Sequence, residues 1–436
     1  MTIAFPASTA GGDHRRAEAE RGFTLAEMLV TLFLVSLVLI GVLTLFDLAS
    51  RTARTQTHLA EMQQSLRVAQ QTLVKVVRMA GRGGLPTWDP ANATNRLPTG
   101  VAVAVANNVA ASTLIAGNAG APVLAGTDVV TVRGVFDTPI YQRNPAGGGF
   151  NFVPGSGAET GSVTLASTTP SGAPQSLDAI RDAVQKVQGA ASGGGSHPEA
   201  LLLVSPLGEW AVVEIIPGST LTTNGTEVTD AIVAFQVTGG DFSAEYGGLS
   251  RGGSYPPTLE TVAYVGLLEE YQFYVREVRA VPGDASSDLM PELVRARLYP
   301  NTGVAWDRSA ASLTEVIADN VLDLQVAFGI DLDNDELLVE NHLSAGGDPT
   351  KDEWLFNAVG DDPDPLLWNV ANGSLYYLRL NTVVRTDRAT AYFDDEPLGV
   401  IEDKDYSVAP FNAYNAEWQR RYHRRLLSTT VDLRNL

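Results

Sequence analysis

Between Met28 and Phe46 the chain carries no charged residue, and the residue immediately before that run is a glutamate, Glu27. At about 1.5 Å of rise per residue, a helix over this stretch matches the roughly 30 Å hydrocarbon thickness of a bilayer. The pattern predicts a membrane-spanning helix. It does not predict an ordinary anchor, because a carboxylate within a transmembrane segment costs about 2.5–3.5 kcal/mol on insertion scales. Glu27 needs a partner. Cleavage between Gly22 and Phe23 would create one, a new α-amine near the start of the same helix.

The residues around that point, Arg21-Gly22-Phe23-Thr24-Leu25-Ala26-Glu27 followed by the apolar run, resemble the type III signal of type IV prepilins and pseudopilins. The resemblance implies that prepilin peptidase, a membrane aspartyl protease, cuts after Gly22 and N-methylates Phe23. It also implies that Glu27 pairs with the terminal amine of a neighbouring subunit in a filament. A plain single-pass anchor with a tolerated glutamate near one interface is the alternative reading of the same residues.

Composition bounds the remainder. With 44% hydrophobic and 18% charged residues over 436 positions, there is enough apolar material for one large or two smaller domains beyond the helix. The formal net charge is -20, and the lysines are Lys75, Lys186, Lys351 and Lys404 alone. So few cations argue against nucleic acid as a partner, since phosphate binding needs clustered positive charge. Cysteine is absent, so stability must come from the core without disulfides, although the bulk of such a chain is expected outside the cytoplasm, where they are allowed. The first 22 residues mix Arg15, Arg16 and Arg21 with Asp13, Glu18 and Glu20 and have no apolar core of their own, unlike a conventional secretory signal. Arg51 and Arg54 follow the apolar run almost as densely, so the orientation rests on the resemblance.

Beyond the membrane run, Leu59, Met62, Leu66, Ala69, Leu73, Val76 and Ala80 recur at spacings of three and four, one stripe of a continuing helix. Gln63, Gln64, Arg67, Gln70, Gln71 and Lys75 suit its solvated face. Gly81, Gly83, Gly84 and Pro86 should end it, giving a helix of about 87 Å from Phe23 to Ala80. A dimeric coiled coil is the alternative for its second half, with few heptads to support it. From Thr87 on, the pattern turns alternating and β-branched, with candidate strands at Gly100–Val105, Asp128–Val135, Ala200–Val204, Trp210–Ile216, Ala231–Val237, Val262–Val265, Tyr271–Ala280, Leu293–Tyr299, Val321–Phe328, Leu375–Val384 and Leu426–Leu433. Two short helices are expected, one at Leu177, Ile180, Val184 and Val187 after Ser176, the other at Leu313, Val316 and Ile317 after Ser312. Asn144–Gly157 and Ser192–Pro198 read as Gly/Ser/Pro-rich loops flanking an insertion.

The expected fold class is α+β, a long N-terminal, partly transmembrane helix packed on a large, mainly antiparallel β-rich pilin-like head. The expected organisation is a leader over 1–22, a membrane and filament-core half of the helix over 23–46, an amphipathic half over 47–86, and a head over 87–436 with an insertion around 144–198.

A second resemblance narrows the family. The helix-ending segment Ser65–Gly84, with Arg78-Met79-Ala80-Gly81 at its close, is similar to that of PilW-type minor pilins. Thr314–Asp335 resembles their short helix, strand and acidic turn, and Tyr422–Leu436 their C-terminal strand, with its basic start and Thr429-Thr430-Val431 near the end. The stretch from about Thr87 to Pro256 lies outside the resemblance, and this chain lacks the cysteine pair of many relatives. The resemblance implies a minor pilin that primes assembly of a type IV pilus near its tip. Its implied partners are prepilin peptidase, other minor and major pilins and the inner-membrane assembly platform. It would be held in the inner membrane before assembly and displayed on a cell-surface pilus afterwards, with no catalysis and no resident cofactor. A type II secretion minor pseudopilin and, from another class, a membrane-anchored adhesin or hydrolase remain open.

Of the remaining motifs, Asp331, Asp333 and Asp335 place carboxylates at alternate positions of a turn, as calcium loops do. The run is not an EF-hand, since Glu336 stands where its glycine would be, and a solvated acidic turn is the alternative. Gly248-Leu249-Ser250-Arg251-Gly252 fits G-x-S-x-G, but no buried strand precedes it and Pro256-Pro257 follow, so a loop is expected. His14, His58, His197, His342 and His423 are scattered, with no pair at zinc-ligand spacing, and no phosphate loop is present. Arg420, Arg421, Arg424 and Arg425 could grip an acidic partner; the alternative is pairing with the protein's own carboxylates.

Overall fold

The structure, a computed structural model, describes residues 24–85, 102–110, 122–145, 149–153, 160–189, 199–208, 210–236, 262–281, 283–300, 314–331, 338, 353–359, 374–390 and 392–433. The chain divides into two compact units, Met1–Thr57 and His58–Leu436.

One helix, α1 (Leu25–Val77), runs through the end of the first unit into the second. From Met28 to Phe46 its surface is apolar and open, with Leu37, at 51%, the least exposed of the large apolar side chains. The hydroxyls within the apolar run turn back on the helix itself: Thr31 Oγ1 donates to Glu27 O at 2.7 Å, Ser36 Oγ to Phe33 O at 2.7 Å and Thr44 Oγ1 to Ile40 O at 2.8 Å. Such back-bonding leaves no hydroxyl unpaired in lipid, where water cannot satisfy it.

In the second unit α1 is a core element. Met62, Leu66, Ala69, Leu73, Val76 and Val77 are buried, and Ala80 beyond its end is fully so, as the apolar stripe requires. The helix ends where Gly81, Gly83 and Gly84 take positive φ, and Gly81 N donates to Arg133 O at 2.9 Å, which ties the last turn to a strand.

The strands, in order, are β1 (Val103–Ala106), β2 (Val129–Gly134), β3 (Tyr141–Gln142), β4 (Phe150–Val153) and β5 (Thr160–Ala166), then helix α2 (Asp178–Gly189). They continue as β6 (Ala200–Val204), β7 (Trp210–Ile215), β8 (Thr220–Asn224), β9 (Glu227–Gln236), β10 (Tyr264–Leu267), β11 (Glu269–Arg279) and β12 (Leu289–Leu298). The last are β13 (Thr314–Asp319), β14 (Val321–Asp331), β15 (Trp354–Leu355), β16 (Ser374–Arg385), β17 (Val400–Ile401), β18 (Lys404–Asp405) and β19 (Arg424–Asp432).

Three antiparallel sheets carry the body: β1-β2-β11-β12-β13, then β3-β10-β6-β7-β9-β5-β4 with β8 beside β9, and β15-β14-β16-β19. The first and third share the large core with α1, where Val130, Val132, Phe273 and Val275 come together with Leu324, Val326, Leu380 and Val431. The second sheet is buried on both faces at β6. Ala200, Leu202 and Val204 face the large core, while Leu201 and Leu203 pack with Ile180, Val184 and Val187 of α2. Period-two alternation on a five-residue apolar run produces that division. The fold is therefore a long N-terminal helix with a large antiparallel β-rich body, as the sequence predicts.

Three expectations are corrected. The second short helix is instead strand β13, in antiparallel register with β12 and with a bulge between Leu293 and Val294. Val316 and Ile317 are β-branched, and backbone pairing along β12 outweighs an apolar spacing too short to build a stable helix alone; Ser312 and Leu313 lie outside the described residues. Within the expected Asn144–Gly157 loop, β4 pairs with β5, and Phe150 and Phe152 stack against Phe235 with centroids 6.0 and 6.5 Å apart. Gly161 makes this possible, since a Cβ there would lie 2.4 Å from the Phe235 ring. Gln70, placed on the solvated face, is 4% exposed, and its Nε2 donates to Leu427 O at 2.9 Å and Thr382 Oγ1 at 3.3 Å.

Candidate functional site

The residues singled out by sequence fall at the start of α1 and in the C-terminal third. Gly22 and Phe23 lie outside the described residues, as do Asp333, Asp335 and the G-x-S-x-G run. Asp331 closes β14.

Glu27 sits in the first turn of α1, and its side chain has a local role that the sequence reading did not identify. Glu27 Oε2 accepts from Thr24 N at 2.9 Å and from Thr24 Oγ1 at 3.0 Å, while Glu27 N donates to Thr24 Oγ1 at 3.3 Å. Thr24 and Glu27 thus form a capping box, a reciprocal arrangement that satisfies backbone donors left unpaired at a helix start. The signal was present as Thr-x-x-Glu ahead of an apolar run. These bonds hold the carboxylate at the helix mouth without supplying a positive charge, so they position Glu27 and leave it free to meet a cation.

The basic cluster near the C-terminus is engaged within the protein. Arg420 lies 3.1 Å from Asp394, Arg421 2.9 Å from Glu417 and Arg424 3.4 Å from Asp395, with Arg424 also donating to Tyr414 O at 2.9 Å. Burial lowers the Arg424 pKa, and Asp395 opposes that shift. Self-pairing, rather than a free basic patch, is the arrangement at these three residues.

The same region shows how a chain without cysteine pins its C-terminal segment. Lys404, fully buried on β18, donates to Asp323 Oδ2 of β14 at 2.9 Å and to Gly126 O at 2.6 Å. Its ammonium lies 4.9, 4.7 and 5.1 Å from the ring centroids of Tyr406, Phe411 and Tyr414. Nearby, Arg379 of β16 grips Glu402 with two bonds of 2.7 Å. Among the described residues no cation pairs with the buried Asp128; it accepts from Asn108 N at 2.9 Å and Val326 N at 2.8 Å, and burial raises its pKa well above the usual carboxylate range. Elsewhere buried acids meet arginines across strands, with Glu270 2.7 Å from Arg133 and Glu292 2.6 Å from Arg276, each pair in direct register. A strongly acidic chain thereby places several carboxylates inside with partners.

Two family models match the chain. Residues 19–43 match the prokaryotic N-terminal methylation motif, and residues 272–435 match the type IV pilus-assembly protein W family. The first match covers Gly22, Phe23 and Glu27. The second runs from β11 to β19 and includes the Lys404–Asp323 pin and the arginine cluster. No curated protein and no solved structure matched. The prepilin-type start of α1 and the pilus-assembly match over the C-terminal strands together support a PilW-family type IV pilin.

Proposed function

We propose that this pilin primes filament assembly and stays near the filament tip. Prepilin peptidase cuts after Gly22 and methylates Phe23, and the run from Met28 to Phe46 holds the subunit in the inner membrane until the assembly platform extracts it. On extraction the apolar surface leaves lipid for the helices of neighbouring major and minor pilins, and Glu27 meets the terminal amine of another subunit. A subunit that carries Glu27 sits below another rather than at the extreme apex. The observation behind this reading is that α1 shows an open apolar surface throughout its membrane-length run, while the one carboxylate of its first turn is held at the mouth by a cap that brings no positive charge.

Mass spectrometry of protein recovered from cells should find methylated Phe23 as its first residue; a functional subunit that retained its leader would overturn the reading. Glu27→Gln then separates the two roles of the side chain, because an amide oxygen can still accept the Thr24 bonds but has no charge to offer an amine. The variant should be processed normally yet fail to co-purify with partner pilins, and wild-type co-purification would count against the assembly role. The match to the pilus-assembly family favours the pilus over a type II secretion pseudopilus.

A further inference from the structure

Sequence spacing offers no histidine pair for a metal, but the fold brings one histidine together with two carboxylates from separate segments. His58 and Glu61 stand one turn apart on α1, a spacing that puts both on one face. Asp387 lies two residues beyond the end of β16. His58 Nδ1 is 2.8 Å from Asp387 Oδ1 and 3.6 Å from Glu61 Oε2, and one ligand atom from each of the three lies within 4.8 Å of the others.

We propose that His58, Glu61 and Asp387 bind a divalent transition-metal ion of the zinc class, which straps α1 to the segment that follows β16. Three observations carry this. Ligands bonded to such an ion at about 2.0–2.2 Å stand roughly 3–4 Å from one another; His58 Nδ1 is 2.8 and 3.6 Å from the two carboxylate oxygens and all three ligand atoms lie within 4.8 Å, close enough for small side-chain rotations to converge on one ion. His58 Nδ1 is buried yet makes no hydrogen bond, although an Asp387 oxygen lies 2.8 Å away; a shared ion between them would use both. The donor set, one imidazole with two carboxylates, suits zinc or manganese better than calcium or magnesium, which prefer all-oxygen shells. Glu61 and Asp387 are 63% and 42% exposed, so the ion can enter from solution and complete its shell with water. The site sits at the first residue of the body unit, His58, just ahead of the buried stripe that starts at Met62. An ion there fixes the last turn of α1 before the helix is enclosed.

A simple ion pair between protonated His58 and Asp387 is the competing account, and it requires no metal. Detergent-solubilised full-length protein without a histidine tag, stripped with chelator, distinguishes them. Zinc titration by calorimetry should give one ion per chain and raise the melting temperature by several degrees, while calcium at the same concentration should give no rise. His58→Gln and Asp387→Asn should each abolish the zinc response while keeping the far-ultraviolet circular dichroism of the wild type. Glu61→Gln, at an exposed position where folding is not at stake, should also lose it. Absence of saturable binding, an equal response to calcium, or an unchanged zinc response in Glu61→Gln would overturn the proposal; the last result would place the ion elsewhere.

Discussion

Residues 25–57 and 58–77 belong to one unbroken helix, yet they treat apolar side chains in opposite ways. The first stretch leaves Leu29, Phe33, Leu37 and Ile40 open, and the second buries Met62, Leu66, Leu73 and Val77. Polar groups differ in parallel. In the first, hydroxyls bond back to their own helix and the single acid in the first turn is held by a cap; in the second, Gln70 reaches across to β16 and β19. The difference teaches that helix formation was never in question in either half. What separates them is the surroundings each surface suits, an apolar medium in one case and a β-sheet interior in the other.

The most severe way to break this contrast is to shorten one leucine in each half. Leu73→Ala, at a fully buried position, should cost about 2–5 kcal/mol of body stability by chemical denaturation, because it removes a large side chain from a packed core. Leu37→Ala should leave the same denaturation midpoint unchanged; a drop of similar size would mean the first stretch is also part of the folded core. A second, smaller effect comes from Gln70→Ala, which leaves the Leu427 carbonyl and Thr382 hydroxyl without this donor and should cost about 1–3 kcal/mol by the same measurement.

Smaller still is the cap. Thr24→Ala should destabilise the start of α1 by about 1 kcal/mol, seen as faster amide exchange over the first turn in detergent with the body midpoint unmoved. The last test concerns two carboxylates treated differently, Glu27 held in a cap and Asp128 buried and bonded to two backbone amides. Burial raises the Asp128 pKa in the folded state, so folding takes up a proton as pH falls through that raised value. Its stabilising contribution is complete below the unfolded carboxylate pKa of about 3.9 and is lost as pH rises through the folded one. The wild type should thus gain stability from this group as pH falls through that raised value, and Asp128→Asn should flatten that part of the pH profile. An identical slope in the variant would assign the dependence to other acids.

What was legible from the residues was whatever repeats locally. The stripe Met62, Leu66, Ala69, Leu73 and Val76 predicted most of the buried face of α1, with Gln70 and Val77 added by the fold, since a helix's period is set by its own backbone. Ala200–Val204 was readable as a strand with the same bounds that it has in the fold. Less legible were features that depend on distant pairing. Val316 and Ile317 joined β12 as a strand, and Phe150 and Phe152 found Phe235 from within a glycine-rich stretch. At the candidate site, Glu27 stood out at once because a charge beside an apolar run is visible in one dimension, while its bond to Thr24 is a matter of geometry over a single turn.

The sequence alone determined that one end of this chain is a membrane-length apolar helix with an acid at its mouth, and that the other end is rich in strands, because hydrophobic period and charge placement are local properties. Only the tertiary structure decided that Gln70 is interior, that Lys404 enters a ring of aromatic side chains to meet Asp323, and that His58 faces Asp387. The physical reason is distance along the chain. Each of those contacts joins residues far apart in sequence, and no pattern within a few turns of backbone records which partner the fold will bring.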